Sequence, residues 1–141
     1  MTTHDFITSA FNGKTKIQKC ASVFIDNGAV YSYGYHYPLL FKVNGKVIRN
    51  VRGYSSTTGR HILWSRGVNA VDIHTLNSFR LGHDDNENLL QLVRGQIQYV
   101  EGCELRISHH RTMKRRENTR VFTGMVRDLN NAIANLKELQ A

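Results

Sequence analysis

Apolar and polar positions alternate most legibly between residues 20 and 52, and there the pattern predicts strands. CASVFID, the dipeptide Asn27-Gly28 and AVYSYGYHY make up one hairpin, and LLFKV, Asn44-Gly45 and KVIRNV repeat it. Asn-Gly readily takes the two positive φ values of a type I′ turn, so the segment predicts a meander of about four antiparallel strands. Pro38 has no amide hydrogen to give a ladder and separates the two hairpins at an edge or a bend. If the strand runs on through VYSYGYHY, then Tyr31, Tyr33, Tyr35 and Tyr37 share one face, opposite Ser32, Gly34 and His36. The tyrosine face is expected to be mostly core. A bulge at Gly34 would turn Tyr35 or Tyr37 outward, as a ring for stacking a base.

The period then changes. His4 to Phe11 predicts a short helix, and the hydroxyl cluster Ser55-Ser56-Thr57-Thr58 before Ile62, Leu63 and Trp64 predicts a second, stopped at Gly67. Residues 68–82 fit neither period. Asp84 or Asp85 is placed to cap a helix through Leu89, Leu90 and Val93 that ends at Gly95. GQIQYV, Glu101-Gly102 and CELRIS read as a third hairpin, followed by a basic connector, SHHRTMKRREN. From Thr119 to Gln140, Phe122, Met125, Leu129, Ala132, Leu136 and Leu139 recur at three- and four-residue steps. A helix docked on the core is expected; a homodimer through this helix is the alternative, on under three heptads. Together these elements predict one α+β domain over residues 1–141: a small antiparallel sheet of hairpins, short helices, and a long C-terminal helix packed on the sheet.

Charge adds a direction. The 141 residues carry 19 Lys and Arg against 11 Asp and Glu, a formal +8. Residues 1–60 hold eight of the cations against Asp5 and Asp26, residues 61–104 hold more acids than bases, and residues 105–141 are basic again. Nucleic acid, another polyanion or an acidic protein face are the natural partners of such a chain, against the plain alternative of a solvated basic surface. No apolar run is long enough for a membrane span, and the N-terminus shows no secretory signal. Cys20 and Cys103 are two thiols in a chain large enough to need no staple, which places it in a reducing cytoplasm.

Three groups of residues carry candidate chemistry. Ser55, Ser56, Thr57 and Thr58 open a helix beside Arg60 and His61, so free amides, hydroxyls and cations are expected to converge on a phosphate. Lys42, Lys46, Arg49 and Arg52 lie on the second hairpin, and Arg111, Lys114, Arg115 and Arg116 in the basic connector, as a wider field for a phosphate backbone. Plain capping and solvated charge remain open for both. His83, Asp84, Asp85 and Glu87, joined by His109 and His110, could hold a divalent cation, but HDDNEN is also a natural helix start, and no metal site or cofactor is expected. No hydrolase or metalloprotease motif is present, so an enzyme is the less favoured reading.

Tyr31, Ser32, Tyr33, Gly34, His36, Tyr37 and Pro38, followed by Tyr54, Ser55, Thr57, Thr58 and His61, carry a resemblance over about residues 23–66. The chain there resembles a small domain of unknown function from phage and other mobile elements, with a YSYG-x-H-[FY]-P strand and a YS-x-TT-x-x-H segment. The resemblance brings no activity; it implies a phage-like origin and a host-cytoplasm location. The expectation is a non-enzymatic phage-type accessory protein that binds nucleic acid through phosphate contacts. The alternatives are a protein-binding module or inhibitor of a host defence factor, and a metal-dependent nuclease.

Overall fold

Six strands pair in sequence order: β1 (Lys19–Cys20), β2 (Val23–Asp26), β3 (Ala29–Ser32), β4 (Pro38–Val43), β5 (Lys46–Asn50) and β6 (Val71–Ile73). This computed structural model describes residues 2–13, 16–112 and 119–141. The first five strands form an antiparallel meander; β6 lies parallel to β5. Both Asn-Gly turns have positive φ at both residues, 49° and 79° at Asn27-Gly28, 52° and 80° at Asn44-Gly45, as a type I′ turn requires. The helices are α1 (Thr3–Phe11), α2 (Ser56–Trp64, continued by a 3-10 turn at Ser65–Gly67), α3 (Asp85–Thr112) and α4 (Thr119–Gln140). The chain is α+β, a mostly antiparallel sheet with short helices and a long C-terminal helix whose ends fall where the apolar period places them.

The sheet is buried on both faces. Phe6, Ile7 and Ala10 of α1 pack with Val23, Val30, Leu39 and Leu40, and Ile62 and Trp64 of α2 adjoin them. On the other face Phe41, Val43, Ile48 and Ile73 meet Leu92 of α3 and Leu139 of α4. One extra residue in β4, between the Val30–Leu40 and Tyr31–Pro38 pairs, explains how adjacent Leu39 and Leu40 serve the same core: a bulge brings two neighbours to one side. The bulge therefore sits at Leu39, where the sequence had placed it at Gly34.

Two expectations are corrected. The strand holding the tyrosines stops at Ser32, because Tyr33 takes φ 69° and the chain turns through residues 33–37. The tyrosines therefore do not form one row. The expected end at Gly95 and the third hairpin beyond it are one 28-residue helix. At Gly95 α3 runs so close to the segment 74–76 that a Cβ would lie 2.8 Å from His74 O and from Leu76 N. Alternating Cys103, Leu105 and Ile107 imitates a strand, yet Cys103 and Ile107, four residues apart, are the buried pair of a helix and Leu105 is exposed. Buried Gln96 ties the layers: its Oε1 accepts from His74 N (2.8 Å) and its Nε2 donates to Ala132 O (3.0 Å) on α4. Among the described residues, no helix is long and apolar enough to cross a membrane.

Candidate nucleic-acid interface

The YSSTTGRH segment forms the start of α2. Ser55 is the N-cap, in extended conformation, and its Oγ accepts from Thr58 N at 3.1 Å. The amides of Ser56 and Thr57 precede the first intrahelical acceptor, so they point out of the helix end along with its positive dipole. Ser55 and Ser56 are exposed, as is Arg60, whose Nη2 donates to Thr57 Oγ1 at 3.3 Å.

Thr58 and His61 face the other way. Ser55 Oγ donates to Thr58 Oγ1 (3.2 Å), Thr58 Oγ1 lies 3.0 Å from Ser32 Oγ, and Ser32 Oγ lies 2.7 Å from His61 Nδ1. With one proton per hydroxyl, the run is satisfied when each donates to the next and Nδ1 accepts, which places the imidazole proton on Nε2. Burial, and then the charge of Arg60, lower the His61 pKa and favour that neutral ring. Thr58 and His61, the latter 2% exposed, are thus an internal tie between α2 and β3. They do not belong to the phosphate-facing surface on which the sequence placed them.

Two exposed rings lie beside α2. Tyr33, following Ser32, is 49% exposed, with its ring centroid 6.1 Å from that of His61. Tyr54, immediately before the cap, is 56% exposed and leans on His36 and Tyr37 at 5.2 and 5.8 Å. Sequence reasoning did not single out either as an exposed ring, since positive φ at Tyr33 is not legible in a tyrosine and Tyr54 stood outside the alternating run. Tyr37, offered as an outward ring, is instead fully buried, and its hydroxyl donates to the carbonyls of Asn50 and Arg52 at 3.2 and 2.6 Å. Burial raises its pKa. Tyr35 is exposed, but its hydroxyl donates to Asp26 Oδ2 at 2.7 Å and its ring packs edge-on against Phe24 and Tyr31.

The wider basic field is thinner than the sequence implied. Arg49, 4% exposed, pairs with Asp72 at 2.7 Å and donates to Ser65 Oγ, Ser65 O and Val68 O, so it cannot reach a phosphate. Lys46 Nζ donates to the carbonyls of Glu138 and Leu139 (2.6 and 3.3 Å) and closes the negative end of α4. Lys42 is exposed, its Nζ 5.9 Å from the Phe11 ring centroid. Arg52 stays partly open at a recess shared with α3. The Arg111 side chain and all of Lys114, Arg115 and Arg116 lie outside the described residues.

The acids proposed for a metal are engaged in folding. Asp84 Oδ1 accepts from Asn86 N (3.0 Å) and weakly from Glu87 N (3.4 Å) at the start of α3, and Asp85 Oδ2 accepts from Asn44 N (2.9 Å). His109 lies on the same helix 24 residues past Asp85, about 36 Å along its axis at 1.5 Å per residue. No three His, Cys, Asp or Glu side chains converge as metal ligands among the described residues. No protein-family model, curated protein or solved structure matches the chain.

Proposed function

We propose that this protein binds nucleic acid without transforming it, holding a backbone phosphate at the first turn of α2 while Tyr33 and Tyr54 stack on bases. The observation that carries the reading is the pair of exposed rings, Tyr33 beside His61 of α2 and Tyr54 immediately before its cap, near a helix end with outward amides, exposed serine hydroxyls and Arg60. Rings that accept any base face, beside cations that track the backbone, are the means by which single strands are bound with little sequence preference. Lys42 and the open side of Arg52 extend the field, and the net charge of +8 steers the polyanion. The resemblance over residues 23–66 implies a phage-like origin and a host-cytoplasm location, in which an accessory role is proposed. Fluorescence anisotropy with single-stranded and duplex oligonucleotides tests this. Tyr54→Ala should weaken single-strand binding by about 1–3 kcal/mol, with Arg60→Ala lowering affinity for every sequence alike. Wild-type affinity in both variants would contradict the assignment.

A second reading, a module that docks a host protein, is favoured by Leu105, 71% exposed on α3. A complex that survives nuclease treatment and is lost in Leu105→Glu would favour it over the first.

A further inference from the structure

Arg52 and Arg106 bring two positive charges to one recess that no carboxylate lines, with Asp72 and Asp128 acting on its His74 and Tyr99 walls from beyond the lining. The recess, about 350 Å³, lies where the end of β5 and the segment 74–77 meet α3, and no Asp or Glu lines it. Arg52 donates through Nε to Thr75 Oγ1 (3.2 Å), through Nη1 to Asn77 Oδ1 (2.9 Å) and through Nη2 to His36 O (3.4 Å), with the Tyr37 ring 5.0 Å from its guanidinium carbon. All of these partners are neutral, and they use three of its five N–H groups. Burial lowers the Arg52 pKa, and the charge of Arg80 adds to this, while Tyr37 and Tyr54 act against it. Arg106 lies over Tyr99 at 5.8 Å and donates to Cys103 Sγ at 3.1 Å.

Elsewhere the guanidinium that enters the interior, Arg49, is paired with a carboxylate, Asp72, which it shares with the exposed Arg66. Neither Arg52 nor Arg106 has an ion pair among the described residues. Arg52, partly buried without a counter-charge, costs folding free energy, which an anionic ligand would offset. The walls are closely packed. His74 and Tyr99, which both line the recess, stack with centroids 3.4 Å apart and planes 3° from parallel, and Gly95 lets α3 press onto the 74–76 backbone. His74 Nδ1 is buried there without a hydrogen-bond partner.

We infer that this recess binds a phosphomonoester dianion, held between the guanidinia of Arg52 and Arg106. Two guanidinia balance a dianion, and their planar forks match phosphate oxygens. A monocarboxylate would leave one charge unanswered. The phosphate belongs either to a small molecule or to the terminus of a nucleic-acid strand, and the chemistry of capture is the same. None of the first-turn residues of α2 lines the recess, and Arg52 is the residue it shares with the wider field of α2.

Calorimetric titration of the folded protein with inorganic phosphate, against sodium chloride at matched ionic strength, tests the site. Saturable phosphate binding is expected, weakened about tenfold or more in Arg106→Ala, whose side chain is exposed and whose loss the fold tolerates. Arg52→Lys keeps the charge, loses the fork and should also weaken binding. Arg60→Ala should bind phosphate like wild type, so failure of the α2 reading would leave this result standing. Heats no larger than those of chloride, or full affinity in Arg106→Ala, would overturn the inference. A 5′-phosphorylated oligonucleotide that binds more tightly than its 5′-hydroxyl twin, with the gain lost in Arg106→Ala, identifies the source as a strand end. Equal affinity of the two, with phosphate binding retained, identifies it as a small phosphate ester.

Discussion

Gly95→Ala tests the packing that forms the recess. On the substituted residue a Cβ would meet His74 O and Leu76 N at 2.8 Å and the Thr75 carbonyl carbon at 3.1 Å. All three are backbone atoms, so no side chain can rotate away, and the shortest contacts fall about 0.6 Å inside ordinary van der Waals distance. Helix α3 must retreat from the 74–76 segment, and it is tied there by Gln96, the next residue. Overpacking of this kind costs about 1–3 kcal/mol relative to a glycine-to-alanine change with open space, while alanine in a helix interior recovers about 1 kcal/mol relative to glycine, for a net loss of roughly 0–2 kcal/mol against wild type. For a chain of this length the upper end corresponds to a fall of about 7 °C in Tm. Gly102→Ala on the same helix is the control: the nearest atom to its Cβ is Arg106 Nη1 at 4.0 Å, so only the propensity gain should appear. Urea and thermal unfolding of both variants give the comparison. A Gly95→Ala protein as stable as Gly102→Ala would refute the close approach.

Arg49→Met should destabilise by about 3–5 kcal/mol, since it leaves Asp72 with only the exposed Arg66 and strips donors from Ser65 and Val68; urea midpoints measure it, and a loss below 1 kcal/mol would mean Arg49 is not buried as described. The His61 and His74 pKa values lie below the usual 6.5, chiefly through burial, so the folded state takes up fewer protons than the unfolded chain. Their contribution to stability is complete above about pH 6.5 and is lost as pH falls through the lowered folded values. Unfolding free energy should be lower at pH 5.5 than at pH 7.5, with a smaller drop in His61→Gln; equal stability at the two pH values would contradict the burial of both rings.

What the sequence disclosed follows from how local each signal is. Asn27-Gly28 and Asn44-Gly45 demand positive φ within two residues, and both turns form. The Ser55 cap and the apolar period of α4 are equally local, and both are found. The first turns of α3 were legible, but its course beyond Gly95 was hidden because Gly95 and Gly102 look like punctuation, whereas Gly95 is small in order to admit a neighbouring backbone. The three residues of β6 are too few to show a period, and their parallel pairing with β5 depends on a long-range partner. At the α2 surface the exposed hydroxyls and Arg60 were legible, but burial of Thr58, His61 and Arg49 was not, because it depends on partners such as Ser32 and Asp72. Arg106 and His74 could not be joined to Arg52 from a chain in which α3 read as a hairpin.

The salt dependence of single-strand binding tests nucleic-acid recognition at α2 most directly. Affinity of a short labelled oligonucleotide would be measured across salt concentrations for wild type and Arg60→Ala. Log affinity should fall linearly with log salt in the wild type, and the slope should be shallower by about 0.7 in Arg60→Ala, the share of one phosphate on a single strand. Binding that ignores salt, absence of binding at low salt, or the same slope in both proteins would contradict phosphate recognition at this surface.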